Sequence, residues 1–306
     1  MLRIGSRGSQ LALWQARWVQ ARLAELGEEA EIEIIRTTGD KITDVALARL
    51  GTATGVKGLF TKEIEEALLT GRIDLAVHSL KDMPTGLPEG LALTAAPARE
   101  DPRDAVAGRT LKDVSPGGRV GTSSLRRSAQ LKAMRPDLVV EPLRGNLDTR
   151  LRKLDEGQFE AILLAAAGLK RMGWQERIAE LLPVDVMCPA VGQGALAIET
   201  RADGGAGELA GRKLDHAATR SAVVAERALL ASLGGGCQVP IGAHARVEGD
   251  RLEIRAVVIS PDGTRLVRRE MQGPVSDPAA VGSELGRAIL DAGARAILEA
   301  VYGTSI

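Results

Sequence analysis

The chain has 306 residues, of which 44% are apolar and 26% charged, and its forty basic side chains balance forty acidic ones. That length predicts two or three domains of ordinary globular composition, and the zero net charge argues against a general binder of nucleic acid or anionic membrane. No apolar run reaches the ~18 residues needed to span a bilayer, Met1 leads straight into Leu2-Arg3-Ile4-Gly5 with no apolar signal core, and two cysteines are too few for a disulfide framework or a four-cysteine zinc site.

From the N-terminus, Arg3-Ile4-Gly5-Ser6 reads as a short strand and turn feeding an apolar-periodic helix from Leu11 to Leu26. Gly51 to Gly58 reads as a loop. A buried strand, Ile73 to Val77, then runs into His78-Ser79-Leu80-Lys81-Asp82-Met83-Pro84. The pattern recurs: Arg119-Val120-Gly121-Thr122 leads into a helix from Leu125 to Met134, and Gly157-Gln158-Phe159-Glu160-Ala161-Ile162-Leu163 echoes the stretch from Gly71 to Val77. Each second element continues to a Leu-Lys, at Leu80-Lys81 and Leu169-Lys170. Strands alternating with helices predict a largely parallel sheet in each half. Pro97 to Arg103 reads as one crossover between the halves, and Pro189 to Gly194 as the return.

A long helix, Ala217 to Leu233, follows, with Val223, Val224, Leu229, Leu230 and Leu233 on its apolar face. It stops at Gly234-Gly235-Gly236-Cys237-Gln238-Val239-Pro240, since glycines tolerate the left-handed conformations of a helix exit. No bulky neighbour shields Cys237, so a large group could reach its sulfur; the alternative is a small buried cysteine filling a gap. Beyond it, Ile241–Val247, Arg251–Ile259 and Thr264–Glu270 read as an antiparallel meander with turns at Gly249-Asp250 and Pro261-Asp262-Gly263. A helix from Pro278 to Val301 would cover one face. The expected domains are residues 1–98 with 195–214, residues 99–194, and residues 215–306.

Two facing α/β halves make a cleft, and their strand-to-helix turns aim helix N-termini, which favour anions, into it. Arg7, Arg126, Arg127, Arg144, Arg150 and Arg171 all fall on or near such turns. Their planar forks suit carboxylates and point to a ligand with several of them; the alternative is surface arginine paired with nearby acids. Asp82 follows a strand end, where open α/β sheets bind ligands. It reads either as half of a solvated pair with Lys81 or as a proton donor that then steadies a cationic intermediate. Ser6, Ser9 and Ser79 make no hydrolase triad, and His78 and His244 are expected to be structural.

With Lys57-Gly58-Leu59-Phe60-Thr61-Lys62-Glu63, Arg99-Glu100-Asp101-Pro102-Arg103-Asp104, Gly121-Thr122-Ser123-Ser124-Leu125-Arg126-Arg127, Arg144-Gly145-Asn146 and Ala190-Val191-Gly192-Gln193-Gly194-Ala195 added, the chain resembles the porphobilinogen deaminase family nearly end to end. The resemblance implies two similar, periplasmic-binding-protein-like α/β domains and a small C-terminal α+β domain with a three-stranded antiparallel sheet. It implies a dipyrromethane cofactor joined by a thioether to Cys237. Four porphobilinogen units would be added, each losing ammonia, before water releases 1-hydroxymethylbilane. Asp82 and Lys81 are the implied catalytic residues. Both also belong with Thr122, Ser124, Arg126, Arg127, Gly145 and Asn146 around the cofactor, and Arg7, Ser9, Ser79, Arg144, Arg150 and Arg171 would take substrate. The implied protein is a cytoplasmic monomer acting on a small molecule, with no metal, nucleic acid or membrane partner. Gln10 stands where many relatives have proline, Gly204-Gly205-Ala206-Gly207 is an uncommon insert, and Cys188 has no family role. Two rivals are a non-catalytic carboxylate-binding protein, which leaves the Cys237 loop unexplained, and a nucleic-acid binder using Arg126-Arg127, which the neutral charge and scarce aromatics disfavour.

Overall fold

The computed structural model describes residues 1–38, 61–235 and 239–303. The expected loop at Gly51 to Gly58 and the thiol of Cys237 lie outside the described residues. The chain gathers into two compact units, residues 1–99 with 195–220 and residues 100–194 with 221–306.

In the first unit, strands β1 (Leu2–Ser6), β2 (Ala30–Ile34), β3 (Leu75–Ser79), β4 (Leu91–Ala95) and β10 (Leu196–Arg201) form one sheet in the order β2-β1-β3-β10-β4. Helix α1 (Gln10–Glu25) buries Ala16, Val19 and Leu23 against Ile4, Leu75, Val77 and Ile198 on one face. Helix α2 (Lys62–Leu69) buries Ile64 and Leu68 with Ile73, Ala76 and Leu91 on the other. Each of the buried Leu, Ile and Val side chains contributes roughly 1.5–3 kcal/mol by leaving water. Helix α1 begins at Gln10, and Ser9 caps it, its side chain accepting from Ala12 N. Strand β3 begins at Leu75 rather than Ile73 because residues Gly71 to Asp74 close a turn, in which Arg72 and Ile73 N–H groups return to Ala67 O and the Asp74 carboxylate accepts from Arg3 N at 2.8 Å.

The second unit repeats the plan. Strands β5 (Asp104–Gly108), β6 (Arg119–Gly121), β7 (Val139–Glu141), β8 (Ala161–Ala165) and β9 (Glu180–Leu182) lie in the order β7-β6-β8-β5-β9. Helices α3 (Leu125–Met134), α4 (Leu147–Asp155) and α5 (Ala166–Arg171) follow β6, β7 and β8. The repeat seen in the sequence is therefore spatial: β1 pairs in parallel with β3 as β6 does with β8. Four strands of each sheet share a direction, and the fifth runs against them. That strand is β10 in one unit and β5 in the other. Each follows a crossover and enters its sheet where the parallel strands finish, Leu196 beside Ser79 and Asp104 beside Ala165, so it must run antiparallel.

Also in the second unit, β11 (Ile241–Glu248), β12 (Arg251–Ile259) and β13 (Leu266–Pro274) form an antiparallel sheet. Helix α6 (Ala206–Arg212) belongs to the first unit, and α7 (Ala217–Ser232) begins there and ends here. Ala225 and Leu229 of α7, with Leu233 just beyond it, pack with Ile254, Val258, Leu285 and Leu298. Strand β13 runs past Glu270 because β12 is long enough to pair Arg251 with Pro274. The single last helix expected from Pro278 is two, α8 (Pro278–Ile289) and α9 (Arg295–Tyr302), parted at Gly293, whose φ of 104° no α-helix accommodates.

Candidate active site

In the first unit the sequence-predicted residues collect at the C-terminal ends of two neighbouring parallel strands. Arg7, half-buried, follows β1 and Ser9 caps α1. Ser79 closes β3, and its hydroxyl accepts from Gln15 Nε2 at 2.9 Å. A 3-10 turn, Leu80–Asp82, continues from it. Leu80 is buried and its N–H donates to Ala195 O at 3.0 Å, which anchors the turn on the incoming β10 segment. Lys81 is half-buried and Asp82 exposed. Sequence reasoning missed Gln15; its signal was a polar residue on the otherwise apolar face of α1.

In the second unit two successive turns and the end of a short helix carry the rest. After β6, Thr122 Oγ1 accepts from Ser124 N at 3.2 Å and Ser124 caps α3. After β7 come Arg144, Gly145 and Asn146, with Asn146 at the start of α4. Gly145 has φ 109°, and a Cβ there would lie 2.7 Å from the Thr149 side chain, so both space and conformation demand glycine. Arg150 Nε donates to Gly145 O at 2.8 Å. At the end of α5, Arg171 is buried and donates to Gly194 O at 2.7 Å; burial lowers its guanidinium to about 10, against the pull of Glu100. Lys170 beside it meets Asp101 at 2.9 Å. The Arg103 hydrogen bonds, aided by Lys170, hold the Asp101 carboxyl well below the usual range.

Arg126 and Arg127 are not open forks on a turn. Both are buried, 3% and 6% exposed, and both close on Asp104. Burial pushes the Asp104 carboxyl up, but the two guanidiniums more than reverse this and keep it ionised. Gln193 completes the group, donating to Asp104 Oδ1 at 3.0 Å and to Pro102 O at 2.7 Å. Asp104 and Gln193 were present in the sequence motifs but carried no sign of this role. Glu226 was missed as well. It is buried in α7, where its carboxylate accepts from Gly192 N at 2.6 Å and from Ala245 N at 2.7 Å.

Each unit thus presents cations, hydroxyls and helix starts at the finishing end of its parallel strands, an arrangement suited to anions. The first unit adds one exposed carboxylate, Asp82, on a held turn. Among the described residues no cluster of His, Cys, Asp and Glu could hold a metal ion, and no helix is long and apolar enough to cross a membrane.

Residues 2–206 match the family described as porphobilinogen deaminase, dipyromethane cofactor binding domain, and residues 221–291 match its C-terminal domain. The chain is 51% identical to the porphobilinogen deaminase of Syntrophobacter fumaroxidans over 99% of its length and 98% of the relative's. It is 53% identical to that of Desulforudis audaxviator over 97% of both. The chain belongs to the porphobilinogen deaminase family. It is therefore a transferase of tetrapyrrole biosynthesis that binds a dipyrromethane cofactor. Among solved structures it is similar to the methionine binding protein MetQ, at 14% identity and a TM-score of 0.43 over 70% of this chain and 89% of that one. The family cofactor fits the residues present. Arg126 Nε is buried with no hydrogen-bond partner among the described residues, and two arginines face one aspartate, so the group wants an anion such as the acetate or propionate arm of a pyrrole.

Proposed function

We propose that this chain joins four porphobilinogen molecules head to tail, each with loss of ammonia, on a dipyrromethane held as a thioether by Cys237, and that water then releases 1-hydroxymethylbilane. The observation that carries the reading is the Leu80–Asp82 turn, which holds an exposed carboxylate at the end of a buried strand in a chain of this family.

When bound, the dipyrromethane supplies the nucleophilic pyrrole carbon to which the first unit is joined. Thr122, Ser124, Arg126, Arg127, Gly145 and Asn146 hold its carboxylates, the last two through the N-terminus of α4. Arg7, Arg144, Arg150 and Arg171, with the hydroxyls of Ser9 and Ser79, take the acetate and propionate of each porphobilinogen. Asp82 gives a proton to the departing amine; once ionised it accepts from the pyrrole N–H and offsets the positive charge that develops on the ring, and the proton lost from the attacking pyrrole carbon as the new C–C bond closes restores the acid. Lys81 adds a cation for the carboxylates beside it. Cys237 needs no lowered pKa, because the electrophile it meets is highly reactive. In this reading residues 215–306 form the cofactor-attachment domain, and the protein works as a cytoplasmic monomer without nucleic acid or membrane.

The test is the intact mass of the purified protein together with its turnover of porphobilinogen. A mass increment of one dipyrromethane, and conversion to a product that closes and oxidises to uroporphyrin, are expected. Sequence mass alone with no consumption of porphobilinogen would leave a carboxylate-binding protein as the better reading.

A further inference from the structure

Asp104 opens β5 and is sealed from water, at 0% exposure. Its backbone pairs on both sides, with Ala165 of β8 and Leu182 of β9, so its carboxylate is fixed to the interior of a sheet. Guanidinium nitrogens surround it. Arg126 Nη1 and Nη2 donate at 2.6 and 3.1 Å, Arg127 Nε donates at 2.8 Å, and Arg127 Nη2 lies 2.7 Å away. Arg126 Nη1 also reaches Cys188 O at 2.6 Å, and Arg127 Nη1 reaches Leu163 O at 3.1 Å. Two cations against one anion leave a net positive charge in a place with little water, where an uncompensated ion is costly. Arg126 Nε is left over with no hydrogen-bond partner among the described residues. The group is one anion short.

We propose that Asp104 is a positioning residue for the dipyrromethane, clamping Arg126 and Arg127 side by side and cancelling one of their two charges, so that the pair takes up a single carboxylate of the cofactor. This rests on the reading of Arg126 and Arg127 as cofactor-binding residues. Asp104 moves no proton in this role, since the two guanidiniums keep it ionised.

The experiment uses full-length apoprotein of the wild type and of Asp104→Asn, Asp104→Glu and Arg126→Gln. Cofactor loading is followed by intact mass during incubation with porphobilinogen. The thermal midpoint of each apoprotein is compared in sodium acetate and in sodium chloride at equal ionic strength. Asp104→Asn keeps the shape and removes the charge. It should load at least roughly tenfold more slowly, and acetate should raise its midpoint more than the wild type's, because two cations then lack a partner. Asp104→Glu restores the charge, so its acetate response should return to that of the wild type and its loading should recover in part. Folded Asp104→Asn protein with wild-type loading or a wild-type acetate response overturns the proposal. If neither Asp104 variant yields folded apoprotein, the residue serves folding only and the proposal is also overturned. Arg126→Gln separates the two levels: normal loading there sinks the underlying reading of the arginines, whereas poor loading there with normal loading in Asp104→Asn sinks the role of Asp104 alone.

Discussion

His78 Nε2 lies 3.0 Å from Glu199 Oε2, with the two side chains only 6% and 0% exposed. The bond crosses the antiparallel pair β3 and β10, diagonal to the register in which His78 faces Ala197 and Ala76 faces Glu199. It therefore ties the strand that presents Lys81 and Asp82 to the strand that enters from the crossover. Removing one partner leaves the other buried and unpaired, at a cost of about 1–3 kcal/mol, more if it is charged. Glu199→Leu should lower the free energy of urea unfolding by that much, whereas Glu199→Leu with His78→Leu should cost less than the sum of the two single changes. Additive losses would mean that the two side chains are not coupled.

Glu65, on α2, is buried, and its carboxyl is raised above the ordinary 4.5; burial is the main cause and the charge of Glu199 adds to it, while Thr61 and His78 oppose. A carboxyl raised on folding binds more protons in the native than in the unfolded chain. Stability should therefore fall as pH climbs from 4.5 through the folded value, and level off above it. Glu65→Gln, a neutral mimic of the protonated acid, should flatten that stretch of the profile. Thermal midpoints taken across it would check this, and an unchanged slope would exonerate Glu65.

Asp82→Asn keeps the size of the side chain and can still accept a hydrogen bond, but it removes the acid and the charge. Turnover of the cofactor-loaded variant should fall by at least ~10², while loading suffers much less. Product is read as uroporphyrin after closure and oxidation. Near wild-type turnover would reduce Asp82 to a solvated partner of Lys81.

The cysteines should separate cleanly. Cys237→Ser should largely abolish stable cofactor attachment. Cys188 is 2% exposed and burial pushes its thiol up to about 12. It should resist iodoacetamide in the native protein at neutral pH, where almost none of it is thiolate, and react on unfolding. Cys188→Ala should load normally, because the group that Arg126 uses there is the backbone carbonyl. Peptide masses after alkylation decide both points.

Among the arginines, Arg126→Leu or Arg127→Leu should impair cofactor assembly, and Arg7→Leu or Arg144→Leu should mainly slow substrate addition. Leaving one carboxylate unpaired costs roughly 2–5 kcal/mol. Loading by intact mass and turnover of the loaded fraction distinguish the two classes; normal values for all four would dissolve the division.

Much of this was legible in the chain itself because its causes are local. Helix 125–134 and strand 251–259 begin and end where periodicity and turn residues place them. The repeat of strand, turn and helix marked two like sheets, and the sequence placed the basic residues on or near the turns, although Arg126, Arg127, Arg150 and Arg171 lie within the helices themselves. The C-terminal sheet was legible too, save that the length of β12 carries β13 on to Pro274. Only the tertiary structure decided which way β10 and β5 run, since a strand's direction depends on the end from which the chain enters its sheet. It alone supplied the polar partners: Arg126 closes on Asp104 22 positions away, Ser79 on Gln15 at 64, and His78 on Glu199 at 121. In the sequence, Asp104 is only the last residue of the motif Arg99 to Asp104, with nothing beside it to name its partners. A buried ion takes the counter-charge that packing brings to it from a distant strand or helix, and no local pattern encodes that distance.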